Sequence, residues 1–414
     1  MKIGMLSQWY DPEPGPAALP GIYGREFIQQ GHQVKVLTGF PNYPDGNLYP
    51  GFKMKPRAQE TNGSIGVTRV ALYPDHSSSA LGRVANYSSF GLSAATLGMG
   101  ALRDIDALWV YNSPVTVALP MLAHNRFGKI PTFLHVQDLW PDSLIESGMF
   151  PGGAIGSAAE SIVGKIVRLM ERRSTVIGVI SESVRNIILD RNPRIDPRKI
   201  VYVPNPTKEE LFRPVEETRT RQSITRKAGD PVEIMYAGAV GEVQGLDVLL
   251  EAATLLRSRT DIKFTIVGDG ISRKRLEEKA KSLNLPSINF TGRLPQEQIP
   301  TLIASADIQL VSLSSQPFLA HTTPSKIPSL LASGVPIVAQ LEGDGAKLLK
   351  ESGAAVVSKP GDPVSLANAI EAMANGGPEH WRMMGNSGHQ YYRTRLSASA
   401  AAKKITDSLE GITA

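Results

Sequence analysis

The chain has 414 residues, of which 42% are hydrophobic and 20% charged, with no cysteine and a formal net charge of +5 at pH 7. This length exceeds one ordinary hydrophobic core and predicts two globular domains, and the absence of cysteine excludes disulfides, thiolate metal sites and cysteine nucleophiles. The basic residues are scattered and form no recognisable binding module, which argues against a nucleic-acid-binding protein.

The amino terminus carries an apolar run too short for a secretory signal, and no stretch approaches the ~20 apolar residues that span a bilayer. We therefore expect a cytoplasmic protein. Most of the basic excess lies in residues 1–205, which favours peripheral contact with the inner membrane face or a phosphorylated acceptor. For the membrane contact the pattern indicates residues 157–173, where Ile162 and other apolar residues share a helical face beside Arg168. A helix packed on its own sheet is the alternative for this segment.

In the first half, short apolar runs alternate with helical patterns. Near-continuous apolar runs are typical of parallel strands covered by helices on both faces. They predict strands at residues 3–6, 34–38, 107–111, 132–136, 175–180 and 200–203. Strands that alternate with helices predict a doubly wound, Rossmann-like α/β sheet. Residues 203–206 (VPNP) suit neither a helix nor a central strand, so we place the domain boundary after Asn205.

A second alternation follows this boundary. It predicts strands at residues 233–237, 263–267, 288–290, 308–311, 336–339 and 354–357. It predicts helices at residues 245–258, 272–283, 296–305, 326–333, 345–351 and 363–374. We therefore expect a second Rossmann-like domain at residues 206–380, and a helix from residue 381 to the end that packs back on the first domain. Because ligands of such sheets bind at the carboxyl ends of the strands, the two sheets predict a crevice between the domains.

Three glycine turns follow strands of the second domain. Their candidate phosphate-binding residues are Gly238, Gly241, Gln244, Gly268, Gly270 and Gly292. Glycine lets a backbone approach a phosphate closely, and the helix that begins after such a turn offers free N–H groups. Three such turns on one sheet edge predict a nucleotide site. For the first turn alone, tight chain reversal without a ligand is the alternative, and the basic run at residues 273–275 also fits the solvated first turn of a helix.

Residues 322–326 (TTPSK) lead into an apolar helix. The hydroxyls of Thr323 and Ser325, the helix amino terminus and the Lys326 ammonium would meet there, which predicts a pyrophosphate site. A surface lysine at a helix start is the alternative.

In the first domain, residues 133–143 run off a predicted strand end. Strand alternation puts His135 and Gln137 on one face, and Asp138 follows at the mouth of the predicted crevice. A satisfied structural histidine is the alternative for His135. Asp104 and Asp106 have the DxD spacing of a metal motif but precede an apolar strand, so we interpret them as a loop. With no other ligand cluster, the sequence predicts no metal.

The chain resembles the retaining GT-B glycosyltransferases of family four, and most closely the branch that builds bacterial surface polysaccharides, including amino-fucose-type transferases. The resemblance covers the whole chain and depends on the order and spacing of eight segments. They are residues 9–15, 31–34, 41–44, 137–143, 203–206, 236–247, 267–270 and 324–326.

The resemblance implies a fold of two Rossmann-like domains and transfer of a sugar, of hexosyl type, from a nucleotide diphosphate to an acceptor with retention of configuration. It implies a nucleotide-sugar site in the second domain, with the base near Gly292, Arg293 and Leu294, and no cofactor or metal. It also implies that the loop around Gly15 and Pro16 closes over the phosphates and that the first domain binds a sugar, lipid-linked or small-molecule acceptor.

The chain departs from the family pattern at three places. The usual glutamate pair falls on His321 and Ser329, so Ser329 replaces a carboxylate that reads the ribose, and a deoxyribose donor becomes possible. The usual arginine and lysine of the first glycine turn fall near Glu242 and Gln244, which leaves Lys326 to hold the phosphates. The histidine that the family commonly places near the reacting sugar is replaced here by Gln137.

We therefore expect a retaining glycosyltransferase in which Asp138 and His135 position or polarise hydroxyl groups. Two alternatives remain at this point: a nucleotide-sugar 2-epimerase, and a catalytically silent protein that binds a sugar nucleotide.

Overall fold

The computed structural model describes residues 1–76, 79–127, 130–141, 154–222 and 229–413. They form two compact units. One contains Met1–Asn205 together with Ala398–Ala414, and the other contains Pro206–Ser397. Among these residues, no helix combines the length and the apolar character needed to cross a membrane.

The first unit is built on an eight-stranded sheet. Its strands are β1 (Lys2–Leu6), β2 (Gln33–Gly39), β3 (Arg57–Asn62), β4 (Ile65–Val70), β5 (Ala107–Asn112), β6 (Thr132–Val136), β7 (Val176–Val179) and β8 (Ile200–Tyr202). Their order is β3-β4-β2-β1-β5-β6-β7-β8, and every neighbouring pair is parallel except β3 with β4. The order reverses between β1 and β5, so this is the point where a doubly wound sheet places its ligands.

Helices cover both faces of this sheet. They are α1 (Leu19–Gln29), α2 (Ala80–Ser93), α3 (Ala118–Phe127), α4 (Ala154–Arg173) and α5 (Glu182–Arg191), with α13 (Ala398–Thr413) added from the end of the chain. One core face surrounds Trp109 and includes Ala401, Ile405 and Leu409 of α13. The other core face surrounds Phe90. The last helix is therefore part of the hydrophobic core of the first unit.

The second unit is built on a six-stranded parallel sheet. Its strands are β9 (Val232–Ala237), β10 (Ile262–Val267), β11 (Ile288–Gly292), β12 (Ile308–Ser312), β13 (Ile337–Gln340) and β14 (Ala355–Ser358), in the order β11-β10-β9-β12-β13-β14. Its helices are α6 (Val215–Gln222), α7 (Asp247–Leu255), α8 (Arg273–Ser282), α9 (Ile299–Ser305), α10 (Lys326–Ser333), α11 (Gly343–Ser352) and α12 (Pro363–Tyr391). The strand order reverses between β9 and β12.

The doubly wound architecture and all twelve predicted strands are confirmed, with ends within two residues of the prediction. The hairpin β3–β4 is absent from the prediction. The sequence of β3, RAQETN, is polar, and five of its six residues are exposed, so it shows neither an apolar run nor an alternation.

The predicted helix from residue 381 to the end is wrong at its far end, because it does not continue unbroken. Helix α12, Pro363–Tyr391, consists of two helices joined at a kink where Gly377 adopts a φ of 72° before Pro378, between the predicted helices at residues 363–374 and from residue 381. A π-helical turn at Tyr392–Leu396 follows, and Ser397 is extended before α13 begins. The second unit thus extends to Ser397, beyond the predicted limit at residue 380.

Candidate functional site

The three glycine turns of the second unit lie side by side at the carboxyl ends of β9, β10 and β11. The Gly238 N–H donates a hydrogen bond to the Val267 carbonyl (2.9 Å), and the Gly268 N–H donates one to the Gly292 carbonyl (2.9 Å). The Val240 N–H donates to the Asp269 carbonyl (3.0 Å). The structure therefore brings these glycines together in one continuous edge, beside the reversal of strand order at β9.

Glycine is required where these turns touch. Gly268 has a φ of 142°, and a Cβ atom added to it would lie 1.8 Å from the Gly238 carbonyl oxygen. A Cβ atom added to Gly270 would lie 2.4 Å from the Val240 carbonyl oxygen. No side chain fits such distances, so the two backbones pack directly on each other. The edge presents main chain, which is what a close phosphate contact needs.

Lys326 begins α10 and reaches under the first of these turns. Its Nζ lies 3.7 Å from the centroid of the Tyr236 ring, and a Cβ atom on Gly238 would lie 2.7 Å from Nζ. The side chain as a whole is half-buried, but its Nζ is buried and has no hydrogen-bond partner within the part of the chain that the structure describes. Burial lowers the pKa of Lys326 to about 7.

A buried ammonium without an anion is costly, because the charge has lost water and gained only a cation–π contact. An anion placed against Nζ would restore the charged form. The amino terminus of α10 adds a partial positive charge at the same place. Lys326, the α10 terminus and the Gly238 turn together have the chemistry of a diphosphate site.

Two polar groups brace the first glycine turn. The Gln244 side-chain oxygen accepts a hydrogen bond from the Gly241 N–H (3.0 Å), which closes the short 3-10 turn Glu242–Gln244. The Gln340 amide donates to the Gly245 carbonyl (3.0 Å) and to the Ser312 hydroxyl (2.6 Å). Gln244 therefore holds the turn in shape instead of offering its amide oxygen to a ligand. Gln340 was missed by sequence reasoning, because a polar residue ending an apolar strand carries no distinctive signal.

The basic run at residues 273–275 lies at the start of α8 and is paired with acids. The Arg273 guanidinium contacts Glu277 (2.7 Å), and Arg275 contacts Asp247 (2.7 Å). The run forms the first turn of α8, with Lys274 and Arg275 exposed and Arg273 half-buried. Arg273 also lies against the Gly292 turn, where a Cβ atom on that glycine would be 2.7 Å from its Nη1.

The side chains around the start of α10 differ in their exposure. Ser325 and His321 are exposed, and Thr323 is half-buried. The Ser329 hydroxyl lies 2.6 Å from the hydroxyl of Thr207, just after the predicted domain boundary. Ser329 therefore shares its hydrogen-bonding capacity with Thr207, a pairing that sequence spacing could not reveal.

A groove of about 560 Å³ lies between α8 and the outer strand β11. Arg273, Leu285 and Phe290 line it, and of these Arg273 also lies against the Gly292 turn. Arg293 is exposed and Leu294 is half-buried against the core of the second unit.

In the first unit, Asp138 lies just after β6 and is half-buried. The Ser113 hydroxyl donates a hydrogen bond to its Oδ2 (2.6 Å), and burial raises the pKa of the Asp138 carboxyl. Tyr111 at the end of β5 donates its hydroxyl proton to the Pro16 carbonyl (3.1 Å), which ties the loop after β1 to the same sheet edge. Gly15 has a φ of 65° with open space around its Cβ position. Asp138, Ser113 and this loop therefore meet at the reversal of strand order between β1 and β5.

His135 lies in the core. It has no exposed surface, and its ring packs between Tyr23 and Trp109 with centroids 5.5 and 5.8 Å away. Its Nε2 lies 3.2 Å from the Val203 carbonyl oxygen, and burial lowers its pKa to about 4. A side chain in this position cannot reach a substrate. The structural alternative therefore corrects the catalytic expectation for His135.

Glu13, in the segment at residues 9–15, has a structural role. Its buried carboxylate accepts hydrogen bonds from the N–H groups of Tyr10 (3.1 Å), Asn42 (2.8 Å) and Tyr43 (2.9 Å). Burial raises the pKa of Glu13 to about 7. The residue joins the loop after β1 to the loop after β2, which fixes the edge of the sheet on which Asp138 lies.

The DxD spacing has a structural role. The Asp106 carboxylate accepts a hydrogen bond from the Lys2 N–H (2.7 Å), and Asp104 adopts a φ of 56° in the turn before β5. No group of three His, Asp or Glu side chains close enough to share a metal ion occurs among the described residues. Asp142 and Ser143, the end of one segment of the resemblance, lie outside these residues.

The comparisons with known proteins agree with this geometry. Residues 231–375 match the family model for the group 1 glycosyl transferases, a range that contains the glycine turns and Lys326. The putative colanic acid biosynthesis glycosyl transferase WcaI of Escherichia coli is 27% identical over 81% of this chain and 82% of its own length. The probable glycosyltransferase WbjE of Pseudomonas aeruginosa is 26% identical over 58% of each chain.

Among solved structures, the chain is similar to Anabaena HepE in complex with UDP. The two superpose with a TM-score of 0.65 at 15% identity, over 99% of this chain and 100% of that one. At this identity the likeness supports the fold, which is that of the two-domain GT-B class. Together with the relatives, these matches identify the chain as a glycosyltransferase whose residues 231–375 are similar to the group 1 family.

Proposed function

We propose that the chain transfers a glycosyl group from a nucleoside diphosphate sugar to a hydroxyl acceptor with retention of configuration and without a metal. The observation that carries the proposal is the buried, unpaired Lys326 ammonium beneath the Gly238 turn at the start of α10. A preorganised cation and helix terminus stabilise the charge that develops on a leaving diphosphate, which is the part that a metal plays in other transferases. HepE, which shares the fold, was crystallised in complex with UDP, which supports a nucleoside diphosphate as the donor's leaving group.

In this proposal the acceptor oxygen attacks the anomeric carbon from the face that the diphosphate leaves. The bond from that carbon to the phosphate oxygen breaks, and the hydroxyl proton passes to the departing phosphate. Lys326 and the amino terminus of α10 hold the diphosphate. Asp138 accepts a hydrogen bond from a sugar hydroxyl and favours positive charge at the anomeric carbon. The Ser113 hydroxyl fixes the carboxylate in one orientation.

The donor base is proposed to lie against the turn at Gly292, Arg293 and Leu294, with the sugar nucleotide ribose near Ser329. Because Ser329 already pairs with Thr207, its hydroxyl has at most two of its three hydrogen-bonding positions left for a ribose, and it lacks the charge of a carboxylate. Weak discrimination between UDP and thymidine diphosphate follows. A preference above about tenfold, or about 1.4 kcal/mol, would assign ribose recognition to another residue.

The acceptor is proposed to be a glycan, a lipid-linked sugar or a small molecule bound by the first unit. The relative WcaI is named for colanic acid biosynthesis, which supports a role in polysaccharide synthesis. That the chain belongs to the amino-fucose-type branch stays a proposal. Peripheral membrane contact through residues 157–173 gains little support. Ile162 on α4 is exposed, but Val167 and Met170 are buried and Ile166 is only half-buried, so much of the apolar side of α4 packs within the unit.

The test is a screen of nucleoside diphosphate sugars by thermal shift, followed by turnover with each donor that binds. We expect transfer or slow donor hydrolysis in the presence of a chelator, and nuclear magnetic resonance of the product should show the donor's anomeric configuration. An inverted product would contradict retention, and loss of turnover with a chelator would contradict metal independence.

The same screen separates the alternatives, which the comparisons do not favour. A silent binding protein would show a thermal shift without any turnover. A 2-epimerase would change the donor's sugar at C2 without an acceptor.

A further inference from the structure

Four aromatic side chains meet at the carboxyl ends of β1, β2 and β4. Trp9 follows β1, Tyr43 follows β2, His76 follows β4, and Tyr87 lies on α2. We call these four residues the aromatic cluster. The centroid of the Trp9 ring lies 5.7 Å from that of Tyr43 and 6.5 Å from that of Tyr87. Trp9 is buried and the other three rings are half-buried, so the cluster is partly open to solvent.

The rings of the cluster are tilted against one another. Their interplanar angles run from 41° to 89°, so no ring is covered by a parallel neighbour within the cluster. Tyr43 and Tyr87 pack on the margin of the core around Trp109. Half-exposed rings grouped at the carboxyl edge of a parallel sheet are typical of the wall of a ligand site. The alternative is that these rings only close the end of the core.

A buried amide directly precedes three of the four rings. These amides are Gln8 before Trp9, Asn42 before Tyr43 and Asn86 before Tyr87, and none is more than 1% exposed. The Gln8 amide donates a hydrogen bond to the Asn86 side-chain oxygen (2.6 Å), and the Asn86 amide donates one to the Asn42 oxygen (3.1 Å). An apolar core would avoid the cost of burying three amides, whereas a hydrogen-bonded network fixes one arrangement. The network therefore holds the two loops and α2 together and preorganises the rings.

The cluster also contains buried polar atoms that lack a partner. The Trp9 indole N–H and the His76 Nε2 make no hydrogen bond within the ranges that the structure describes, and neither does the Gln8 Oε1 behind them. Buried indole N–H groups ordinarily have a partner. These atoms point to a ligand that offers hydroxyl groups.

The charges near the cluster do not favour an anion. Burial lowers the pKa of His76, while Asp75 raises it and Arg83 lowers it further, so the neutral ring is favoured. Burial raises the pKa of Tyr87; the Arg83 guanidinium opposes this shift and the Asp138 carboxylate adds to it. Arg83 thus lies among two carboxylates, and Asp138 is within electrostatic range of the cluster. This balance argues against the phosphorylated acceptor that the basic excess of residues 1–205 left open.

We propose that the aromatic cluster binds the acceptor and that the acceptor is an uncharged pyranose, with its C–H face on Tyr43 and Tyr87 and one hydroxyl directed to Asp138. One face of a pyranose carries mainly C–H groups, which pack on aromatic rings, while its hydroxyls need fixed polar partners. A sugar phosphate would bring its charge beside Asp75 and Asp138. The proposal rests on the proposed function, because it names the acceptor class for that transfer.

The test measures acceptor binding by saturation-transfer difference nuclear magnetic resonance, with the full chain and without a donor. The neutral probes are the methyl β-glycosides of glucose, galactose and N-acetylglucosamine, and the anionic probe is the phosphorylated methyl glucoside. We expect a neutral glycoside to bind, with the strongest transfer to the ring protons of one face. The phosphorylated glucoside should bind at least about tenfold more weakly.

Two variants of one ring separate stacking from mere bulk. Tyr87→Leu keeps an apolar side chain without the ring and should weaken glycoside binding about tenfold, whereas Tyr87→Phe keeps the ring and should bind like the wild type. The matched control is Tyr73→Ala, which removes a 54% exposed tyrosine outside the cluster and should bind like the wild type. The thermal shift with UDP should be the same in all variants, because the donor is assigned to the second unit.

Three results would overturn the proposal: no binding of any neutral glycoside, equal binding of the phosphorylated glucoside, or wild-type binding by Tyr87→Leu. If Tyr87→Leu binds like the wild type but melts earlier, the rings only close the core. Glycoside binding is measured without turnover. A chain that binds glycosides at the cluster but shows no thermal shift with UDP would therefore contradict the proposed function and leave the sugar site standing.

Discussion

Lys326 combines a buried ammonium, an aromatic contact and a helix amino terminus, and burial lowers its pKa to about 7. A diphosphate against Nζ would favour the charged form and raise this pKa, so binding must take up a proton wherever the free lysine is neutral. We expect the affinity for UDP to fall between about pH 7.5 and pH 9, approaching tenfold per pH unit. Titration calorimetry in buffers of different ionisation enthalpy measures the proton taken up.

Uridine, which lacks phosphates, is the control for this measurement, and its affinity should not follow the same pH dependence. Lys326→Met should weaken UDP binding more than uridine binding and remove the proton uptake. Equal losses for both ligands would exclude Lys326 from the phosphate site.

The same shift predicts a stability effect. The folded pKa of Lys326 lies below the ordinary lysine value of 10.5, so the unfolded chain binds more protons between about pH 7 and pH 10.5. The cost of burying the charged Lys326 therefore lowers the free energy of unfolding fully below about pH 7, and this cost becomes smaller as the pH rises. Without ligand, Lys326→Met should raise the free energy of unfolding by about 1 to 3 kcal/mol at pH 7, and less at pH 9. Urea unfolding at the two pH values measures both; a less stable variant would contradict the assignment.

Asp138 is the remaining candidate for catalysis in the first unit, since His135 is buried. Asp138→Asn keeps the shape of the side chain and removes its charge. We expect turnover to fall at least ~100-fold while the thermal shift with donor stays unchanged. Ser113→Ala removes only the hydrogen bond that orients the carboxylate and should cost less, about tenfold. If Asp138→Asn melts earlier and transfers sugar at the wild-type rate, the carboxylate has a structural role.

At the scale of elements, the sequence could predict the strands and helices that have a local pattern of apolar residues. Parallel strands buried on both faces are near-continuous apolar runs, and for that reason every strand of the second sheet was predicted. The polar edge strand β3 has no such run. The kink in α12 falls in the gap between the predicted helices at residues 363–374 and from residue 381, where Gly377 supplies the positive φ and Pro378 takes the first turn of the second helix.

The candidate site divides in the same way. Gly238, Gly268 and Lys326 were predicted because each has a local sequence signal: a glycine directly after an apolar strand, or a lysine at the start of a helix. The burial of His135 depends on rings contributed by α1 and β5, which are distant in the sequence. The contact between Ser329 and Thr207 joins residues that only the folded second unit brings together. Neither pattern has a local signature.

The direct packing of two glycine turns gives an element-scale prediction. In Gly268→Ala the new methyl group would meet the Gly238 carbonyl, and the residue would keep a φ that favours glycine. We expect a loss of about 2 kcal/mol or more in the free energy of unfolding and a loss of UDP binding. Gly66→Ala in the exposed part of β4 is the control, since no atom lies within 4 Å of its Cβ position. Equal stability of the two variants would contradict the packing.

At the scale of the whole molecule, α13 supplies core residues to the first unit from the far end of the chain. Ending the chain after Ser397 would remove Ala401, Ala402, Ile405 and Leu409 from the core around Trp109. We expect the first unit to unfold at lower temperature while the second unit keeps its transition, seen as two separated steps in calorimetry. Ending the chain after Gly411 keeps those residues and is the control. A single transition shifted for both units would contradict this division.

Because the first unit is built from two separate parts of the chain, its folding during synthesis at the ribosome is affected. Domains that are continuous in sequence ordinarily fold in the order in which they emerge. Here residues 1–205 emerge first but lack α13, which emerges only after Pro206–Ser397 is complete. The apolar groove that α13 fills stays open throughout translation of the second unit. The second unit is therefore expected to reach its native state first, and a chaperone that binds apolar surface would find its target on the amino-terminal half of the nascent chain.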